Sequence, residues 1–150
     1  MLTRTVFPHP APRRARPRIL PVFTPRAGCV GRCLFCAQEE QSGHSPLPLP
    51  RVLGELEDKL EAAGSGPPVE IAFYGGTFTA LPLEWMERFL LAAARARRAG
   101  VVCAVRCSTR PDALPPGLLQ HLAALGLDSV ELGVQTFDDA VLETARRGHT

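Results

Sequence analysis

The sequence has one lysine (Lys59) against sixteen arginines, one tryptophan, one tyrosine and two methionines. We read the arginine excess as compositional bias. No uncharged apolar run approaches the roughly 20 residues that a bilayer crossing needs, so no membrane span is predicted. The first twenty residues hold five arginines and several prolines but no apolar signal core, which predicts a chain that stays in the cytoplasm. A strong charge of either sign is missing too, since the formal net charge is +2 over 150 residues. There is no convincing pattern for a hydrolytic triad. What is present is a 45% hydrophobic chain, too apolar for disorder and sufficient for one core. Its five cysteines, in a reducing compartment, point to metal or redox chemistry rather than disulfides.

Residues 1–17 carry four prolines with Arg4, Arg13, Arg14 and Arg16. Proline lacks an amide donor and like charges repel, which predicts an irregular arm that is either solvated or in contact with RNA phosphates. From Arg18 the text is periodic. Ile19–Thr24 reads as a strand, followed by a cysteine-rich loop over Gly28–Cys36. Arg51–Ala63 reads as a helix with Leu53, Leu56 and Leu60 on one stripe, Pro50 before it and Gly64 after it. Val69–Tyr74 is a second strand, ending in Gly75-Gly76. Leu83–Ala99 is a helix with Leu83, Met86, Phe89, Leu90 and Ala93 inward and Arg95, Arg97 and Arg98 outward. Val101–Cys107, Pro116–Leu125 and Ser129–Val134 follow as strand, helix and strand. Asp138 caps a last helix carrying Val141, Leu142 and Ala145, stopped by Gly148.

No hairpin signal separates the strands, so helical crossovers must return the chain and the strands must run parallel. Val69, Ile71 and Phe73 oppose Glu70, Ala72 and Tyr74. Val101, Cys103, Val105 and Cys107 oppose Val102, Ala104, Arg106 and Ser108, and Val130, Leu132 and Val134 oppose Glu131, Gly133 and Gln135. One apolar face and one small-or-polar face per strand fit helices on one side only. The fold class is therefore α/β, a partial TIM-like (β/α) barrel of about four β-α units, in preference to a doubly wound sheet. An Arg106–Glu131 pair inside the barrel would answer the cost of burying either charge alone.

Cys29, Cys33 and Cys36 form C-x3-C-x2-C on the loop leaving strand one. Three such thiolates can hold one face of an iron–sulfur cubane whose fourth iron stays open, or a zinc whose fourth ligand is His44, Cys103 or Cys107. Spacing leaves both open. Cys103 and Cys107 themselves read as core cysteines on the helix-facing side. Gly28 and Gly31 let the loop wrap closely, and Phe35 supplies an apolar wall against water.

The stretch LPVFTPRAGCVGRCLFCAQEEQSG (residues 20–43) resembles the cluster-binding segment of the radical S-adenosylmethionine (radical SAM) enzymes, in particular the group around the Elongator catalytic subunit. The resemblance continues through VEIAFYGGTFTALP (69–82), CSTRPDAL (107–114) and VELGVQTFDDAVLETARRGHT (130–150). Val30 and Ala37 stand where these relatives usually carry proline and asparagine. The resemblance implies a 4Fe-4S cluster on Cys29, Cys33 and Cys36, with S-adenosylmethionine on its open iron. It places the methionine amino group at Gly75, Gly76 and Thr77, where the bland alternative is a tight turn. Ser108 and Gln135 correspond to ribose-binding positions. Arg147 can clamp the methionine carboxylate or be a surface arginine at a helix end. The loop Arg110–Asp112 either faces substrate or orders itself, and Tyr74 either walls the cofactor or joins the core. His149 carries no reading of its own.

The implied chemistry is one-electron cleavage of S-adenosylmethionine to methionine and a 5′-deoxyadenosyl radical that takes a hydrogen atom from substrate. The electron comes from a reductant such as a flavodoxin or ferredoxin. The Elongator likeness implies tRNA as substrate; the similar oxygen-independent coproporphyrinogen oxidases imply a small tetrapyrrole. A non-catalytic zinc or iron–sulfur module is the rival. A full barrel takes about 250 residues, so residues 18–150 are expected to be the N-terminal part of a longer core.

Overall fold

A computed structural model describes residues 17–43, 47–64 and 66–150. The basic arm, apart from Pro17, and His44 lie outside these described residues. Among the described residues, nine elements of α-helix and strand follow in order: β1 (Arg18–Phe23), α1 (Gln38–Ser42), α2 (Leu49–Ala63), β2 (Val69–Tyr74), α3 (Leu83–Arg98), β3 (Val102–Thr109), α4 (Leu118–Ala124), β4 (Ser129–Leu132) and α5 (Asp139–Thr144). The strands form one parallel sheet in the order β1-β2-β3-β4. Sequential neighbours joined by crossovers of one hand put the connecting helices on one face, as in a barrel wall; a doubly wound sheet reverses its strand order. The barrel is not closed.

The helix-facing side is the core. Leu20, Val22, Val69, Ile71, Phe73, Val105 and Cys107 are buried there. α2 packs on β1 through Val52, Leu56, Leu60 and Ala63, spaced so that one stripe faces inward, and α3 packs on β3. Phe73 sits between Phe78 and Phe89 with ring centroids 4.6 and 5.4 Å away. The other face is polar. Arg106 reaches Glu70 at 3.2 Å and Glu131 at 2.5 Å, and donates to the Tyr74 hydroxyl. The Arg106–Glu131 pair read from strand alternation is present, and Tyr74 is its neighbour rather than a core residue.

Several details depart from the periodic reading. α2 begins two residues early with Pro50 inside its first turn, where an absent amide donor is harmless; Val52 replaces Leu53 at its buried edge. Leu83, the first residue of α3, is 48% exposed although it falls on the inward stripe. The register between β2 and β3 shifts, with Val69 opposite Val102 but Glu70 opposite Ala104. This bulge takes up Cys103 as an extra residue, so Val102 is buried and Cys103 is exposed, the reverse of strict alternation. β4 stops at Leu132, which is 49% exposed, so the apolar face expected along that strand is only partly covered. Two short elements were not foreseen: α1 and a 3-10 turn over Phe78–Ala80.

Candidate functional site

The cysteine loop is built by close backbone contact between the ends of β1 and β2. Thr24 N donates to Tyr74 O (2.8 Å), Arg26 N to Gly75 O (2.7 Å) and Thr77 N to Ala27 O (2.8 Å). Glycine is required at two of these contacts. A Cβ on Gly76 would stand 2.3 Å from Ala27 O, and one on Gly28, which has φ +75°, would stand 2.3 Å from Thr77 O. Gly31 is different: nothing lies within 4 Å of its would-be Cβ, so the close wrapping expected there belongs to Gly28 alone.

Cys29, Cys33 and Cys36 are free and half-buried. The Cys29 sulfur lies 3.3 Å from the Thr77 hydroxyl, and Cys36 N donates to Cys33 O at 3.0 Å. All three line one cavity of roughly 400 Å³ at the C-terminal ends of the strands, together with Phe35, Gly75, Gly76, Thr77, Ser108, Gln135 and Arg147. The ten residues that the sequence assigned to the cluster and the cofactor thus line one cavity, while Tyr74 and Asp112 do not. Among the described residues, no three His, Cys, Asp or Glu side chains converge in a cage ready for a metal ion. The donor set suits a thiophilic group nonetheless: three free thiols open on one cavity. Neither alternative cysteine lines that cavity. Cys103 donates to Val69 O at the opposite end of the sheet, and Cys107 is fully buried, its thiol pushed up to about 12, first by burial and then by the Glu131 charge.

Arg147 is not a surface residue. It lies beyond the end of α5, is 6% exposed, and follows Arg146 in the left-handed region (φ +55°). Its guanidinium donates to Cys33 Sγ at 3.2 Å and to Gly133 O, and stacks 5.8 Å from the Phe35 ring, while its buried Nε has no partner. No carboxylate is among these contacts, so this buried cation is in want of an anion. Leu34 N also donates to Ala145 O at 3.1 Å, a second tie from the cysteine loop to the end of α5. Phe35 itself is half-exposed. Ser108 donates to Glu131 at 3.1 Å, and Gln135 sits past β4 with φ +72°.

Sequence reasoning missed Glu131, Arg26 and Gln38 as cavity lining and left Arg110 undecided. Arg110 is 8% exposed and grips both Asp112 oxygens, at 2.9 and 2.7 Å. The hydrogen bond from Arg110 holds the Asp112 carboxyl below its ordinary 3.8, against an opposing push from burial. A depressed folded-state pKa contributes stability that is present above the unfolded value, near pH 4, and is lost as pH falls through the folded one. Urea midpoints should therefore fall more steeply for the natural chain than for Asp112→Asn as pH drops from about 5 to about 2.5. Parallel slopes contradict the pair's role.

Residues 24–150 match the model of the Radical SAM superfamily. The chain belongs to that superfamily. Among its relatives, a tRNA uridine(34) acetyltransferase of Methanocaldococcus jannaschii is 25% identical over 170 aligned positions, covering 88% of this chain and 31% of the relative. A second protein of that name, from Dehalococcoides mccartyi, is 26% identical over 160 positions, covering 85% of this chain and 35% of the relative. The heme chaperone HemW of Synechocystis is 30% identical over 128 positions, covering 81% of this chain and 31% of the relative. This radical SAM chain spans about a third of the length of the curated relatives it matches. No helix among its described residues is long and apolar enough to cross a membrane.

Proposed function

We propose that the chain forms the cluster- and cofactor-binding part of a cytoplasmic radical SAM enzyme that modifies tRNA. The observation that carries this reading is the meeting of Cys29, Cys33 and Cys36 with Gly76, Ser108, Gln135 and Arg147 on one cavity at the strand ends. When bound, a 4Fe-4S cluster and S-adenosylmethionine supply a 5′-deoxyadenosyl radical upon one-electron reduction by a flavodoxin or ferredoxin. The protein's own work is to bind and to orient. Cys29, Cys33 and Cys36 would hold the cluster through their thiolates. The backbone of Gly75, Gly76 and Thr77 lines the cavity, and its carbonyls are the groups that would take the methionine amino group. Ser108 and Gln135 offer a hydroxyl and an amide to the ribose. Arg147 receives the carboxylate it lacks in the protein itself. Phe35 shields one side from water.

The names of the Methanocaldococcus and Dehalococcoides relatives support tRNA as substrate. The Synechocystis relative supports a second reading, in which the bound partner is heme. Anaerobic reconstitution with iron and sulfide tests the core of the proposal. The expected result is a brown protein with about four irons per chain that releases 5′-deoxyadenosine when given S-adenosylmethionine and dithionite. A colourless protein holding one zinc overturns it.

A further inference from the structure

We infer that Arg110 and Asp112 set the reduction potential of the iron–sulfur group, acting as a fixed dipole whose positive end faces the thiols. The inference rests on the proposed function above. Arg110 lines the cavity with Cys29, Cys33 and Cys36, while Asp112 does not, so the cation faces inward and the anion lies behind it.

The dipole is held still. Two parallel hydrogen bonds fix the plane of the guanidinium on the carboxylate. The supporting loop is tied down at both ends: Ala113 N donates to Arg110 O at 3.2 Å, and the buried Thr79 hydroxyl bonds Ala113 O and the Thr109 hydroxyl. The turn after α5 closes over the guanidinium, since a Cβ on Gly148 would lie 3.5 Å from Arg110 Nη2. Charges on Cys33 and Cys29 help to raise the Arg110 pKa, after the larger effect of the Asp112 hydrogen bond, so guanidinium and sulfurs lie within electrostatic reach. Neither residue is needed for the ligand contacts already assigned, and Arg147 alone answers the carboxylate.

Reduction adds one electron, supplied by the external low-potential donor, and hence one negative charge to a group that its thiolates already make anionic. A nearby buried cation favours the reduced form, and it does so more strongly in a cavity wall than in water. Opposite ends of the pair must therefore act with opposite signs. Arg110→Gln removes the cation and makes reduction harder. Asp112→Asn leaves the cation uncompensated and makes reduction easier. A loop that merely lost its order would shift both variants the same way.

The test uses the reconstituted chain, Arg110→Gln, Arg110→Lys and Asp112→Asn, with iron and sulfide counted first. The ratio of reduced to oxidised group is then read by electron paramagnetic resonance at one fixed solution potential. Arg110→Gln should lower the ratio about tenfold, Asp112→Asn should raise it, and Arg110→Lys should stay near the natural value. Arg110→Gln and Asp112→Asn moving together, or neither moving with iron intact, overturns the inference and leaves the proposed function standing. A natural chain that takes up no iron and sulfide overturns both.

Discussion

Gly76→Ala should destabilise the chain by roughly 3 kcal/mol and disorganise the cysteine loop. The new methyl would face two backbone oxygens, Ala27 O at 2.3 Å and Thr24 O at 2.7 Å, neither of which can swing aside as a side chain does. Relief requires the segment from Thr24 to Ala27 to move. That motion breaks the Thr77 N–Ala27 O and Arg26 N–Gly75 O hydrogen bonds that carry Cys29 to its place beside Thr77. Urea unfolding should show a lower midpoint, and iron uptake should fall with it. Gly31→Ala is the control: with open space around it and no left-handed backbone, it should stay within about 0.5 kcal/mol of the natural chain. Equal midpoints for the two variants would show that the loop yields freely there.

Arg147→Ala should weaken S-adenosylmethionine binding by about ten- to a hundredfold, the span that one charged hydrogen-bonding partner supplies. The same change removes the donor to Cys33 Sγ and the plate against Phe35, so the loop loses a tether as well as the cavity losing a cation. Arg147→Lys separates these effects. It keeps the charge but not the planar fork, and should bind the cofactor with intermediate strength. Equilibrium dialysis on reconstituted protein reads the affinity directly. An unchanged dissociation constant in Arg147→Ala would remove the carboxylate from this position.

The parts of the fold that depend on periodicity were legible in the sequence. Apolar spacing located four strands and their helices, and one-sided strands located the helices on a single face. The cysteine triplet and the Gly-Gly pair marked the cavity, because thiol spacing and missing side chains are visible letter by letter. Asp138 was readable as a cap for the same local reason, and its carboxylate accepts from Val141 N at 3.1 Å. What escaped depends on contacts between distant segments. The bulge at Cys103 arises from how β3 meets β2, not from β3 alone. Arg147 looks like any arginine near a helix end until the chain folds it under Phe35. The left-handed backbone at Arg26, Gln135 and Arg146 has no signature in residues that seldom adopt it. Leu83 obeys the helical period and is exposed all the same, as the first residue of its helix.

The tie between Cys33 and Arg147 spans 114 positions of sequence. During synthesis, which runs from the N-terminus, the thiols leave the ribosome long before their guanidinium partner exists. Through that interval Cys33 stands without the guanidinium that later donates to its sulfur. Arg147 is therefore the last of the cavity's residues to be made, and the cavity is complete only once the segment after α5 has folded back on the cysteine loop.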